Sequence, residues 1–125
     1  MPVTKTVVLV LDCTEPLELA EFYAGLLNAE ARPGEGKDLV EVVGPDGVHL
    51  AIRRDLGYAP PSWPRPEDSQ QAHLHIRVSP ADMDAAEREA VDLGATPVEA
   101  RDNGGKHDTR LFTDPAGHSC ALTTD

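Results

Sequence analysis

Apolar positions recur along this chain with two different periods, and each change of period marks an element. Thr6 to Cys13 (Thr-Val-Val-Leu-Val-Leu-Asp-Cys) is a short, β-branched-rich apolar run, which predicts a strand buried on at least one face. From Glu15 the spacing turns helical. Leu19, Phe22, Tyr23 and Leu26 fall at i, i+3, i+4 and i+7 on one stripe, opposite Glu18 and Glu21, with Thr14 as the expected cap and an end near Asn28. Ala29 to Arg32 follow as a strand, then the turn signal Pro33-Gly34 and a strand at Asp38 to Val43. The tight turn Gly44-Pro45-Asp46-Gly47 leads to a strand at Val48 to Arg53. There Val48, Leu50 and Ile52 face one way, and His49, Ala51 and Arg53 the other.

Residues 55–70 carry Pro60, Pro61, Pro64 and Pro66 without periodicity and predict a semi-rigid connector, on which Trp63 anchors the loop to the core surface. Gln70 to Val78 alternates strictly: Leu74, Ile76 and Val78 lie on one face of a strand, and His73, His75 and Arg77 on the other. Ser79-Pro80-Ala81-Asp82 is a strong helix start, Met83, Ala86, Ala90 and Val91 form the apolar stripe, and Gly94 stops it. A strand at Thr96 to Ala100, a polar loop at Arg101 to Lys106, a strand at His107 to Thr113, the turn Asp114-Pro115-Ala116-Gly117 and a strand at His118 to Thr123 complete the chain.

The two halves therefore share one element order, strand, helix and three strands, and the turn at Gly44 recurs in kind at Asp114. The fold class expected is α+β: a single domain, 1–125, of two tandem βαβββ modules, with module one at 1–54, the connector at 55–70 and module two at 71–125. One module alone leaves a sheet face uncovered. The two mixed sheets are thus expected to pair into a cupped, barrel-like concave surface with the helices outside.

Charge narrows the function. Eleven basic against 22 acidic residues give a net charge of −11, which opposes nucleic acid and anionic membranes as partners. Cys13 and Cys120 lie in apolar strand-like runs without a C-x-x-C pair, so both are expected as reduced core thiols. With no apolar run near the ~18 residues of a membrane span and no secretion-signal pattern, a soluble, cytoplasmic protein is expected.

Tandem βαβββ modules, together with Asp12-Cys13 through Glu21-Phe22-Tyr23, Pro61-Ser62-Trp63-Pro64, Gln71-Ala72-His73-Leu74 and Asp114-Pro115-Ala116-Gly117, resemble the glyoxalase-like subgroup of the vicinal oxygen chelate superfamily. That superfamily includes glyoxalase I, extradiol dioxygenases and bleomycin-resistance proteins. The resemblance implies four metal-ligand positions on the concave face, which fall at Val8, Ala51, His73 and Ala121. Only His73 can ligate, and one histidine does not hold a divalent ion. No metal and no cofactor is therefore expected. His49, His73 and His75 as a displaced site is the weaker alternative, because His73 and His75 stand ~6 to 7 Å apart along the strand and would need converging side chains.

If the family positions face the cup, alternation also directs Val10, Asp12, His49, Arg53, His75, Arg77, Ser119 and Thr123 there. The expected ligand-binding residues are His49, Arg53, His73, His75 and Arg77, with His73 the candidate acid–base. Arginine offers a fork for carboxylate or phosphate, and imidazole exchanges protons near neutrality. The competing reading is structural, with Arg53 and Arg77 paired to Asp12, Glu41 or other acids at the sheet edge. The expected partner is a small, partly apolar, anionic organic molecule, sequestered without turnover. The alternatives are a lyase, isomerase or dioxygenase-like enzyme using His73, or a scaffold without a ligand. The resemblance also implies a homodimer.

Overall fold

A computed structural model describes residues 3–36, 38–59, 72–98 and 109–124, and it contains the two tandem βαβββ modules. The connector from Pro60 onward, Trp63, the loop Arg101 to Lys106 and His107 lie outside the described residues. Chain contacts divide the protein into two compact units, 1–58 and 59–125. Among the described residues each sheet is an open four-stranded one, not closed into a barrel.

In module one, β1 (Leu9–Cys13) runs parallel to β4 (His49–Arg54), which pairs antiparallel with β3 (Leu39–Val43), and β3 in turn with β2 (Glu30–Pro33). β1 starts later than the apolar run suggests: Leu9 is its first paired residue, opposite Leu50 of β4. Helix α1 (Pro16–Leu26) covers one face of this sheet, burying Leu19, Phe22, Tyr23 and Leu26 as its stripe requires, with the Phe22 and Tyr23 rings edge-to-face at 4.9 Å. The cap expected at Thr14 is not made. Pro16 at the first helical turn places Glu15 at the N-cap, and no side chain caps the helix there. Asn28, at φ 54, turns the chain out of the helix in the left-handed conformation that asparagine tolerates.

Module two repeats the plan. β5 (Leu74–Arg77) is parallel to β8 (Ser119–Thr123), which pairs antiparallel with β7 (Thr109–Thr113), and β7 with the short β6 (Thr96–Pro97). The helix begins as a 3-10 turn, Pro80–Asp82, and continues as α2 (Met83–Leu93), ended by Gly94 at φ 124. The Ser79 hydroxyl donates to Asp82 Oδ2 at 2.9 Å instead of accepting from the helix backbone, so it does not cap in the expected way. Met83 and Ala90 are buried, whereas Val91 is 42 % exposed; the stripe is narrower than the sequence implies. Arg110 on β7 fastens α2 from below, donating to Asp84 and Glu87 at 2.9 and 3.0 Å. No helix among the described residues is long and apolar enough to cross a membrane.

Cys13 and Cys120 are buried thiols, neither joined in a disulfide. Burial first, and the charge of Asp114 second, push the Cys120 thiol from 9.0 up to about 12. Between those values the unfolded chain releases a proton that the folded chain keeps, so this thiol takes nothing from folding stability below about pH 9 and a growing amount as pH rises towards 12. At about pH 10.5 this thiol is expected to cost about 2 kcal/mol. Urea unfolding of the native chain and of Cys120→Ala at a series of pH values checks this: the alkaline decline should be shallower in the variant, and equal slopes would remove Cys120 as its source.

Candidate functional site

Alternation gives each sheet a helix-covered face and an opposite face, and the ladder registers decide which side chains become neighbours. In module two, Leu74, Ile76, Cys120, Leu122, Arg110 and Phe112 share the α2 side. On the opposite side β5 carries His73, just ahead of the strand, then His75 beside Ala121 and Arg77 beside Thr123. Ser119, Ala121 and Thr123 of β8 are small and buried, while all three β5 side chains are exposed. The Thr109 and Thr123 hydroxyls, directly paired in register, meet at 3.3 Å. The result is a row of two imidazoles and a guanidinium along a floor of small side chains.

The imidazoles are not independent. His73 Nε2 and His75 Nε2 lie 2.9 Å apart, with ring centroids at 4.7 Å and planes tilted by 53°. A contact this short needs a proton on one nitrogen and a lone pair on the other. The backbone separation that argued against joint action by these residues is closed by their side chains. Arg77 differs from every other arginine on the described strands. Arg32 pairs with Glu30, Arg53 with Asp12, Arg54 with Asp38, and Arg110 with Asp84 and Glu87. Arg77 pairs with no carboxylate among the described residues.

The polar row of module one lies on β4, the counterpart of β8 and not of β5, and it is hydrogen-bonded within its own sheet. Asp12 and Arg53 are register partners, and Asp12 Oδ1 accepts from Arg53 Nε at 2.8 Å, with Asp55 a further 3.9 Å contact. That hydrogen bond, and the charge behind it, raise the pKa of Arg53. His49 Nε2 lies 2.8 Å from Glu41 Oε1 across the β3–β4 ladder. Thus His49 and Arg53 share a face as expected, and each meets an acid there. His73, His75 and Arg77 are brought together on the other module.

Sequence reasoning left two polar groups without a role. One is Arg110, described above. The other is the pair Asp114 and His118, in which a carboxylate with no exposed side-chain surface accepts the backbone N–H groups of Ala116 and His118 at 2.8 and 3.0 Å and faces His118 Nδ1 at 2.9 Å. The spacing Asp-Pro-x-Gly-His was its only signal, and a turn accounts for that spacing without a buried carboxylate.

The metal implied by the resemblance does not fit these side chains. Val8, Ala51 and Ala121 have no donor atom, so the four-position set reduces to His73. Among the described residues no three His, Cys, Asp or Glu side chains gather where they could hold a metal ion.

The comparisons with known proteins agree with the architecture. A family model described as a glyoxalase-like domain matches residues 8–123. Against curated protein sequences the chain has no significant match. Similar solved structures include the fosfomycin resistance protein FosX of Mesorhizobium loti, at TM-score 0.73 and 14 % identity over 99 % of this chain and 94 % of that one. FosX of Listeria monocytogenes, in complex with Mn(II) and sulfate, gives TM-score 0.71 and 13 % identity over 99 % and 94 %. A glyoxalase/bleomycin resistance protein/dioxygenase family enzyme of Burkholderia phytofirmans PsJN gives 0.71 and 9 % over 93 % and 94 %. At such identities the likeness is one of fold, but the family match spans nearly the whole sequence, and the chain belongs to the glyoxalase-like domain family.

Proposed function

We propose that this protein binds a small, partly apolar, anionic organic molecule on the face of β5 opposite α2, without the family's metal chelate, and sequesters it as a resistance protein does. The observation that carries this reading is Arg77: in a chain of net charge −11, it is the strand arginine with no acid partner among the described residues, and it stands in line with two imidazoles. A guanidinium fork recognises carboxylate or phosphonate in two-point fashion. His73 and His75 add a donor, an acceptor and a proton between them, and the small residues of β8 leave room for an apolar body. His49 and Arg53, already matched to Glu41 and Asp12, contribute less. A homodimer belongs to the same proposal.

The second reading, a lyase or isomerase with His73 as base, draws on the short contact to His75, since a base needs a neighbour that fixes its tautomer. Dioxygenase-like chemistry has no such support. Calorimetric titration of EDTA-dialysed protein with fosfomycin, a small phosphonate, and with a panel of aromatic carboxylates separates these readings. Saturable 1:1 binding without product, weakened at least tenfold in Arg77→Ala, is expected. Equal affinity in the variant would remove Arg77 from the site. Product formation that disappears in His73→Ala would favour the enzyme.

A further inference from the structure

We infer that His73 and His75 form a two-nitrogen clip for a d-block dication that takes its ligands at right angles, Cu2+ before Ni2+ and both before Zn2+. The clip is distinct from the four-position set of the family: both ligands come from one strand run, two residues apart, and only one of them occupies a family position. It also goes beyond the proposed function, which calls for no ion.

The argument is geometric. Two nitrogens bound to one metal at about 2.0 to 2.1 Å stand about 2.8 to 3.0 Å apart when the bonds meet at a right angle, and about 3.3 to 3.4 Å apart at the tetrahedral angle. The observed Nε2 separation is 2.9 Å. It matches the right-angle bite, which square-planar and tetragonal Cu2+ and Ni2+ use, and is too short for a tetrahedral zinc site. The intrinsic affinity order of nitrogen sites, with Cu2+ at its maximum, points the same way. Both rings are exposed, so an ion reaches them without any opening of the fold, and the strong negative charge of the chain favours approach of a dication. Binding needs a lone pair on each Nε2. The ring that donates in the 2.9 Å contact therefore moves its proton to Nδ1 or releases it, and the ion takes the place of the shared proton. Two ligands leave the remaining positions of the ion to water or to oxygen donors of a small molecule.

The test is titration of the EDTA-dialysed, full-length protein with CuCl2 in a weakly coordinating buffer, followed by calorimetry and by electron paramagnetic resonance. One tightest Cu2+ per chain is expected, with an axial signal carrying the hyperfine pattern of two imidazole nitrogens. Affinity should fall at least tenfold in both His73→Gln and His75→Gln, with circular dichroism showing that each variant stays folded, and Zn2+ should bind at least tenfold more weakly than Cu2+. Copper affinity unchanged in His75→Gln, a signal of one nitrogen, or zinc bound as tightly as copper would each overturn the clip. Because the anion-binding reading is tested on metal-free protein, failure here leaves that reading standing, and the reverse also holds.

Discussion

Replacing Asp114 with alanine is expected to lower the unfolding free energy by about 3 to 5 kcal/mol, one of the two largest effects of any single substitution considered for this chain. The carboxylate is buried and serves three donors at once: the backbone N–H groups of Ala116 and His118, and the His118 ring. Truncation removes the acceptor and leaves two backbone donors in a part-buried turn, each costing about 1 to 3 kcal/mol when unpaired. The damage spreads because the turn sets the register of β7 on β8, through Asp114 N to His118 O at 2.9 Å and the pairing of Thr113 with Ser119. Asp114→Asn should fall between the two, since its amide oxygen still accepts from the backbone while its NH2 group faces the ring. Urea denaturation of the three proteins gives the order directly, and an alanine variant within about 1 kcal/mol of the native chain would show that the turn holds without the carboxylate.

Phe112→Ala should cost a similar amount, about 3 to 5 kcal/mol, by a different route. Phe112 is 2 % exposed on the α2 side of β7, opposite Cys120 in register, and it is among the largest fully enclosed side chains of the protein. Its removal forfeits the transfer of an aromatic ring out of water and leaves a cavity that the flanking strands, held by their ladders, fill only in part. Leu111 precedes it in sequence but points to the opposite face and is half-buried. Leu111→Ala is therefore expected to cost less, and a larger loss there than at Phe112 would show that the two faces of β7 are assigned the wrong way round. Thermal or urea unfolding of both variants decides this.

Much of this architecture was legible because periodicity reports on burial directly. The stripe Leu19, Phe22, Tyr23 and Leu26 is buried as its spacing demands, and the alternation of His73, His75 and Arg77 with Leu74 and Ile76 places each set on its own face. What periodicity does not encode is pairing between strands. That Arg53 meets Asp12 depends on the parallel register of β1 on β4, and that His49 meets Glu41 depends on the register of β3, neither of which can be read from one strand alone. Nor does it encode rotamers, so the approach of His73 to His75 followed from side-chain torsions that strand spacing leaves open. Thr14 and Ser79 had the right chemistry for caps, yet neither hydroxyl caps a helix: Pro16 sets the first helix start so that Glu15 takes the N-cap position, and Ser79, although at the N-cap, donates its hydroxyl to Asp82.

The contrast between the two sheets has a consequence for how such a protein changes over time. On module one the β4 arginine and histidine each meet an acid of the same sheet, so a substitution at Arg53 or His49 takes a hydrogen-bond partner from Asp12 or Glu41. On module two the row His73, His75 and Arg77 hangs on β5, a sheet edge, and Arg77 has no such obligation among the described residues. Substitutions along that row can alter what is recognised while the ladders beneath them stay intact. A duplicated module thus separates two demands that a single sheet would have to meet together: one copy is held to its charges by its own structure, and the other is at liberty to take up new chemistry.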